Sequence, residues 1–162
     1  QLDGWWIWRG HFVTITSFFV FFIASIAELN RVPFDLPEGE SELGAGFHTE
    51  YSGIQFGFFF LSEYINMFVT SSIIVTLFLG GWLPPRIYGL PFLDDIFNYI
   101  PPIIWFLFKV FTIIFTIDNW IRWTLPRLRI DQLIYLEWKF LLPLSLLNII
   151  LASISVLFEY YF

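Results

Sequence analysis

The sequence predicts an all-α polytopic membrane protein with about four transmembrane helices and a folded acidic loop after the first. Three observations carry that prediction. Of 162 residues, 57% are hydrophobic and 14% charged, against about 25% charged in a soluble domain. The mean hydropathy is +0.72. The apolar residues also fall in four long blocks rather than at amphipathic spacing.

The first block runs over about 11–29, with no charge between Phe12 and Ala27. A bilayer takes about 20 residues of helix, so this block is long enough to cross. It reads poorly as a signal peptide, because Asp3 stands where a basic flank belongs and no small-residue cleavage site follows. The second block, about 53–80, carries one acid, Glu63. The third, about 102–121, contains Lys109 and Asp118, and the fourth covers about 138–158. Seven of the eight Trp mark the ends of these blocks (Trp5, Trp6, Trp8, Trp82, Trp120, Trp123 and Trp138), with Trp105 slightly inside. That is the interfacial aromatic belt of a membrane protein. Residues 1–162 read as one membrane domain, with an acidic loop at 30–51 and a basic loop at 122–137.

Basic residues set the orientation. Arg31, Arg122, Arg127, Arg129 and Lys139 lie in or beside those two loops, whereas only Arg9 and Arg86 stand opposite. The positive-inside rule puts both loops on the cytoplasmic or matrix side. The net charge of −6 excludes a nucleic-acid partner. The absence of cysteine excludes a disulfide framework, thiol catalysis, a thiolate zinc site and iron–sulfur ligation within 1–162. The high Phe and low Ala content (22 and four residues) favours A/T-rich codons, as in an organellar gene. A start at Gln suggests a processed, split or non-standard product.

The segment 28–50, ELNRVPFDLPEGESELGAGFHTE, is the chemical centre. Six acids (Glu28, Asp35, Glu38, Glu40, Glu42 and Glu50) face one base, Arg31. A solvated loop is the bland reading. Against it, Glu28 falls in the last turn of a membrane helix, where a carboxylate is expensive unless paired or functional. Phe34, Leu36, Leu43 and Phe47 interleave with the acids, Pro33 and Pro37 stiffen the entry, and Gly39, Gly44 and Gly46 permit tight turns. The sequence therefore favours a buried, cavity-lining segment.

Glu63 is the second anomaly. At about 100° per residue, Gln55, Ser62, Glu63, Asn66 and Thr70 share one arc of the helix. That arc could be polar glue between helices, with Glu63 paired to a base such as Lys109. It could equally be a hydrated proton path, and an acid where Asn or Gln would serve tilts the reading toward protons. In 122–139, RWTLPRLRIDQLIYLEWK, the bases either set topology or pair with the acidic loop; Lys139 reads as the former. His11 and His48 lack the company a metal site requires. No Gly-rich phosphate loop or nucleophile–base arrangement is evident.

The segments AELNRVPFDLPEGESELGAGFHTEYSG (27–53), FFFLSEYINM (58–67) and RWTLPRLRIDQLIYLEWKFLLPLSLLN (122–148) together resemble the C-terminal half of subunit 1 of respiratory NADH:ubiquinone oxidoreductase, complex I. The resemblance covers about 16–150, with Leu29 where Thr is frequent. It implies helices five to eight of an eight-helix subunit that helps form the ubiquinone-binding chamber at the junction of the membrane and peripheral arms. It assigns Arg31, Phe34, Asp35, Glu38, Glu40, Glu42, Glu50 and Tyr51 to the loop lining the quinone cavity. Glu28 and Glu63, with Tyr64, fall on an acidic proton-transfer route, and Arg122, Arg127 and Arg129 on the basic loop of the same face.

The same resemblance implies that no cofactor is bound by this chain. Ubiquinone is the substrate, and NADH, FMN and iron–sulfur clusters belong to partner subunits. The implied partners are the N-terminal half of the subunit, the quinone-site and terminal iron–sulfur-cluster subunits of the peripheral arm, other membrane-arm subunits, and lipid. Without the other half, Glu28, Glu63 and Lys109 are expected to face lipid. The implied location is the mitochondrial inner membrane or, alternatively, a bacterial plasma membrane. In mechanism, carboxylates in low dielectric answer the charge of quinone reduction by changing protonation. The alternatives are the homologous subunit of a membrane-bound hydrogenase or non-ubiquinone dehydrogenase, and a purely structural membrane anchor.

Overall fold

The structure, a computed structural model, describes residues 5–9, 11–35, 52–85, 97 and 99–158. All regular elements among them are helical: α1 (Trp6–Arg9), α2 (His11–Glu28), α3 (Ile54–Phe78), α4 (Pro102–Thr124) and α5 (Ile130–Leu157). By length and apolar composition α3, α4 and α5 can each cross a membrane, and α2 is a shorter apolar helix. Helices rather than strands span here because they satisfy every backbone hydrogen bond internally.

Each helix stops where the sequence supplies a reason. Beyond Glu28, Asn30 adopts φ 51°, the left-handed conformation that Asn tolerates better than most residues. The Asn30 N–H then donates to the Ala27 carbonyl at 3.2 Å, closing α2. At the end of α3, Gly80 and Gly81 have φ of 69° and 54°, and the Gly81 N–H donates back to Val75 at 2.9 Å. A Cβ on Gly80 would also lie 3.0 Å from the Trp5 ring, so glycine serves both the turn and the packing. α4 begins with Pro102 in its first turn, where the missing N–H costs nothing.

α4 and α5 are longer on the basic side than hydropathy suggests. α4 continues to Thr124 and α5 starts at Ile130, where hydropathy alone puts the helix ends at about 121 and 138. Only 125–129 is non-helical in the expected basic loop. Pro126 forces Leu125 into an extended conformation (φ −95°, ψ 134°), which ends α4. The Arg129 N–H donates to Gln132 Oε1 at 3.2 Å and starts α5. Hydropathy marks where a helix enters lipid, not where its hydrogen bonding begins. Both helices contain a π-helical stretch, Thr116–Ile121 in α4 and Glu137–Leu141 in α5.

The core joins α2, α3 and α4 through Ile26, Met67, Ile74, Val75, Val110, Ile113 and Ile117, with Leu29 and Phe34 closing one end. α5 buries no residue among those described. It is tied to α2 by polar contacts: Thr16 Oγ1 donates to Asn148 Oδ1 at 2.9 Å, and Asn148 Nδ2 donates to Ser17 Oγ. Trp6, Trp82, Trp120, Trp123 and Trp138 are exposed near helix ends, as an aromatic belt requires.

Candidate functional site

The residues that follow α2 fold inward. Pro33, Phe34 and Asp35 are all buried, and Phe34 joins the core. The Leu128 N–H donates to the Pro33 carbonyl at 3.0 Å, so the basic segment adjoins the start of the acidic one. Between them, Phe22, Ile26, Phe34, Ile121, Leu125 and Leu128 help line an apolar cleft of about 420 Å³. The acidic segment thus enters the fold on apolar side chains, which carry its charges into protein rather than into water.

Arg31 reaches α3. Its Nη2 lies 3.7 Å from Glu63 Oε2, and the two side chains are 11% and 22% exposed. Its guanidinium carbon stands 5.2 Å from the centre of the Tyr64 ring. Glu63 sits about 14 Å along α3 from Ile54 at about 1.5 Å per residue, within reach of a long side chain anchored at the membrane surface. The separation exceeds the roughly 2.7–2.9 Å of a direct charge-assisted hydrogen bond. The result is a shielded ion pair with an adjacent aromatic face. Arg31 stays protonated at any physiological pH, so the carboxylate is the member that can change charge.

From the sequence, Glu63 is expected to pair with a base such as Lys109; it pairs with Arg31 instead. Lys109 is 5% exposed and does not face lipid. Its ammonium donates to the carbonyls of Leu79 at 2.7 Å, Gly81 at 3.0 Å and Leu83 at 2.6 Å, and it lies 4.5 Å from the Trp5 ring. Three N–H groups meet three acceptors, so this lysine is fully satisfied as a cation. The carbonyls it meets lie in and just beyond the left-handed turn that ends α3, where the helix dipole is negative.

Glu28 is exposed at the end of α2 and belongs to a different cleft. Val20, Ala24 and Ala27 of α2 face Trp138, Leu141 and Ser145 of α5 across about 660 Å³, with Glu28 and Glu137 both in the lining. Glu137 does not stand out in the sequence, because it precedes the expected start of its helix. An acid inside an apolar helix is the signal that would have found it. The polar arc proposed for α3 also divides: Thr70 is buried and Glu63 half-buried, whereas Gln55, Ser62 and Asn66 are exposed.

Of the basic residues, Arg122 and Arg129 are exposed and Arg127 is half-buried. Lys139 donates to the Tyr135 hydroxyl at 2.6 Å. Glu38, Glu40, Glu42, Glu50 and Tyr51 lie outside the described residues. Among the described residues no cluster of three or more His, Cys, Asp or Glu side chains could hold a metal ion.

The family model described as NADH dehydrogenase matches residues 1–153. Among curated relatives, a membrane-protein homologue from Bacteroides thetaiotaomicron that is named as a subunit of NADH-quinone oxidoreductase is 52% identical over all 162 residues, which cover 45% of that protein. Its namesake from Bacteroides fragilis is 51% identical over the same span and share. The namesake from a Geobacillus species is 50% identical over 154 residues, 95% of this chain and 42% of the relative. The chain therefore spans somewhat less than half the length of these relatives.

Proposed function

Because this chain belongs to the NADH dehydrogenase family, we propose that it is the part of the complex I membrane subunit that helps form the ubiquinone chamber and couples quinone reduction to proton translocation. One observation carries the reading: the segment that opens the acidic loop is clamped to a membrane-embedded carboxylate, Arg31 to Glu63, beside Tyr64. The clamp links two places where charge can change. Negative charge arriving near the acidic loop would favour proton uptake by carboxylates there. A shift of Arg31 toward that charge would loosen its hold on Glu63, and a proton would then move at the Glu63 carboxylate. Arg31 acts by position and Glu63 by protonation. Glu28, at the same end of α2, is a second candidate for proton transfer.

The apolar cleft under Pro33 and Phe34 supports a hydrophobic substrate near this segment, since ligand pockets are mostly apolar with a few placed polar groups. Ubiquinone fits that chemistry. Asp35, Glu38, Glu40, Glu42, Glu50 and Tyr51 are the proposed remainder of the cavity lining, and Arg122, Arg127 and Arg129 the basic counterpart. Electrons would arrive through iron–sulfur clusters of a neighbouring subunit, with NADH and FMN more distant still. The proposed partners are the rest of the same subunit, the peripheral-arm subunits at the quinone site, and other membrane-arm subunits. The named relatives are bacterial, which favours a bacterial plasma membrane over the mitochondrial inner membrane.

An ion pair is also what a purely structural anchor would use, and the same pair would suit a related hydrogenase module. Glu63→Gln separates coupling from anchoring, because Gln keeps the shape and hydrogen-bonding capacity but carries no proton near neutral pH. We expect the complex to assemble with normal NADH:ferricyanide activity, which bypasses the quinone site, yet to lose quinone-coupled turnover and proton uptake. Pumping at the unaltered rate would leave Glu63 as polar glue. Sensitivity of quinone reduction to a quinone-site inhibitor separates the ubiquinone enzyme from a hydrogenase.

A further inference from the structure

Across the membrane helices, hydroxyls turn back on their own backbone. Ser72 donates to Phe68, Thr76 to Ser72, Thr112 to Phe108, Thr116 to Thr112 and Ser153 to Ile149, each to the carbonyl four residues earlier. Such back-bonding lets a hydroxyl face lipid without an unsatisfied donor. Three side chains of α3 break the pattern. Gln55, Ser62 and Asn66 are exposed, and none has a hydrogen bond among the described residues.

These three side chains form one stripe. At about 100° per residue they fall within about 40° of each other. Asn66 stands about 18 Å along α3 from Ile54 at about 1.5 Å per residue, near the middle of a 25-residue span. Phe58 and Ile65 flank the stripe and are exposed as well. A carboxamide at that depth has two donors and an acceptor that hydrocarbon cannot satisfy. Polar side chains on membrane helices instead mark contacts with other protein segments.

We propose that the Gln55–Ser62–Asn66 stripe of α3 is the docking face for a helix from the part of the subunit that lies outside residues 1–162. The relatives carry more than half of their length there, since this chain covers 45% of them. In those proteins that length is tethered to the region matching this chain, which gives its segments a high effective concentration at this surface. The occupying helix presents amide or hydroxyl groups to Ser62 and Asn66 and apolar side chains to Phe58 and Ile65. The inference rests on the reading that the remainder of the subunit packs against this chain, and narrows it to one face. It does not depend on whether Glu63 carries protons.

The chain lacks cysteine, so a single cysteine in it is a unique address. Ser62→Cys and Asn66→Cys, carrying a benzophenone maleimide, are irradiated within the assembled complex in native membranes, and the adducts are sequenced by mass spectrometry. We expect peptides from the subunit region outside 1–162. Adducts dominated by lipid, by a second copy of the chain, by residues within 1–162 or by a different subunit would overturn the proposal. Asn66→Leu decides the case if a cysteine blocks assembly. A lipid-facing stripe would tolerate it fully, whereas a protein-covered stripe should lower the amount of assembled complex about threefold or more, the ratio that one membrane hydrogen bond supports. NADH:ferricyanide activity counts assembled complex in every sample, so failure of coupling and failure of docking are read separately.

Discussion

α3 is held at its two halves by two different cations. In the first half Arg31 meets a side chain, the Glu63 carboxylate at 3.7 Å. At the far end Lys109 meets only backbone, three carbonyls within 3.0 Å. A carboxylate can lose its charge to a proton; a peptide carbonyl cannot. The Arg31 contact is therefore conditional on protonation, whereas the Lys109 contact is fixed. One helix thus has an end that can answer a change in charge and an end that anchors it while it does so.

Breaking the fixed end should have the largest effect. Lys109→Met keeps the length of the side chain but leaves three carbonyls without their donor, at about 1–3 kcal/mol for each that stays buried. We expect assembled complex to fall sharply, read as NADH:ferricyanide activity per membrane protein and as a lower melting temperature in detergent. Lys109→Arg should rescue poorly, because a planar guanidinium cannot direct three N–H groups as an ammonium does. Full rescue by Arg would mean that charge alone matters there.

Arg31→Ala should come next. It leaves the Glu63 carboxylate partly buried without its cation, at a cost below the roughly 3–5 kcal/mol of a fully buried broken pair. Quinone reduction should fall even where assembly survives. A double-mutant cycle sharpens the point: Glu63→Gln placed in the Arg31→Ala background should restore thermal stability without restoring turnover. If stability is not regained, the two residues are not energetically paired.

Glu63→Gln alone should change the melting temperature little and turnover greatly, with Glu63→Asp retaining part of the function. That inverts the expectation at Lys109, where stability and turnover fall together. The smallest effect belongs to Asn148→Leu, which removes the uncharged contacts with Thr16 and Ser17. Interhelical hydrogen bonds in membranes average about 0.6 kcal/mol, so assembly should drop slightly and activity per assembled complex should hold. A large loss of turnover there would show that α5 docking, not charge, governs coupling.

The four apolar blocks, the aromatic belt and the acidic and basic segments are legible in the sequence because they depend on composition and spacing along one chain. Proline and glycine mark helix ends for the same reason, as Pro126 and the Gly80–Gly81 pair do. The anomaly at Glu63 is equally legible, since an acid within an apolar span stands out at any angle. Its partner is not legible. Arg31 and Lys109 are both within reason, and only packing puts one beside the carboxylate and the other among backbone carbonyls, which carry no side-chain signature. Helical periodicity likewise gathers Gln55, Ser62, Glu63, Asn66 and Thr70 on one arc, yet cannot say where along that arc the neighbouring helix begins. The tertiary structure sets that edge between Glu63 and Asn66, because the core of α2, α3 and α4 covers Met67, Thr70 and Ile74 and goes no further.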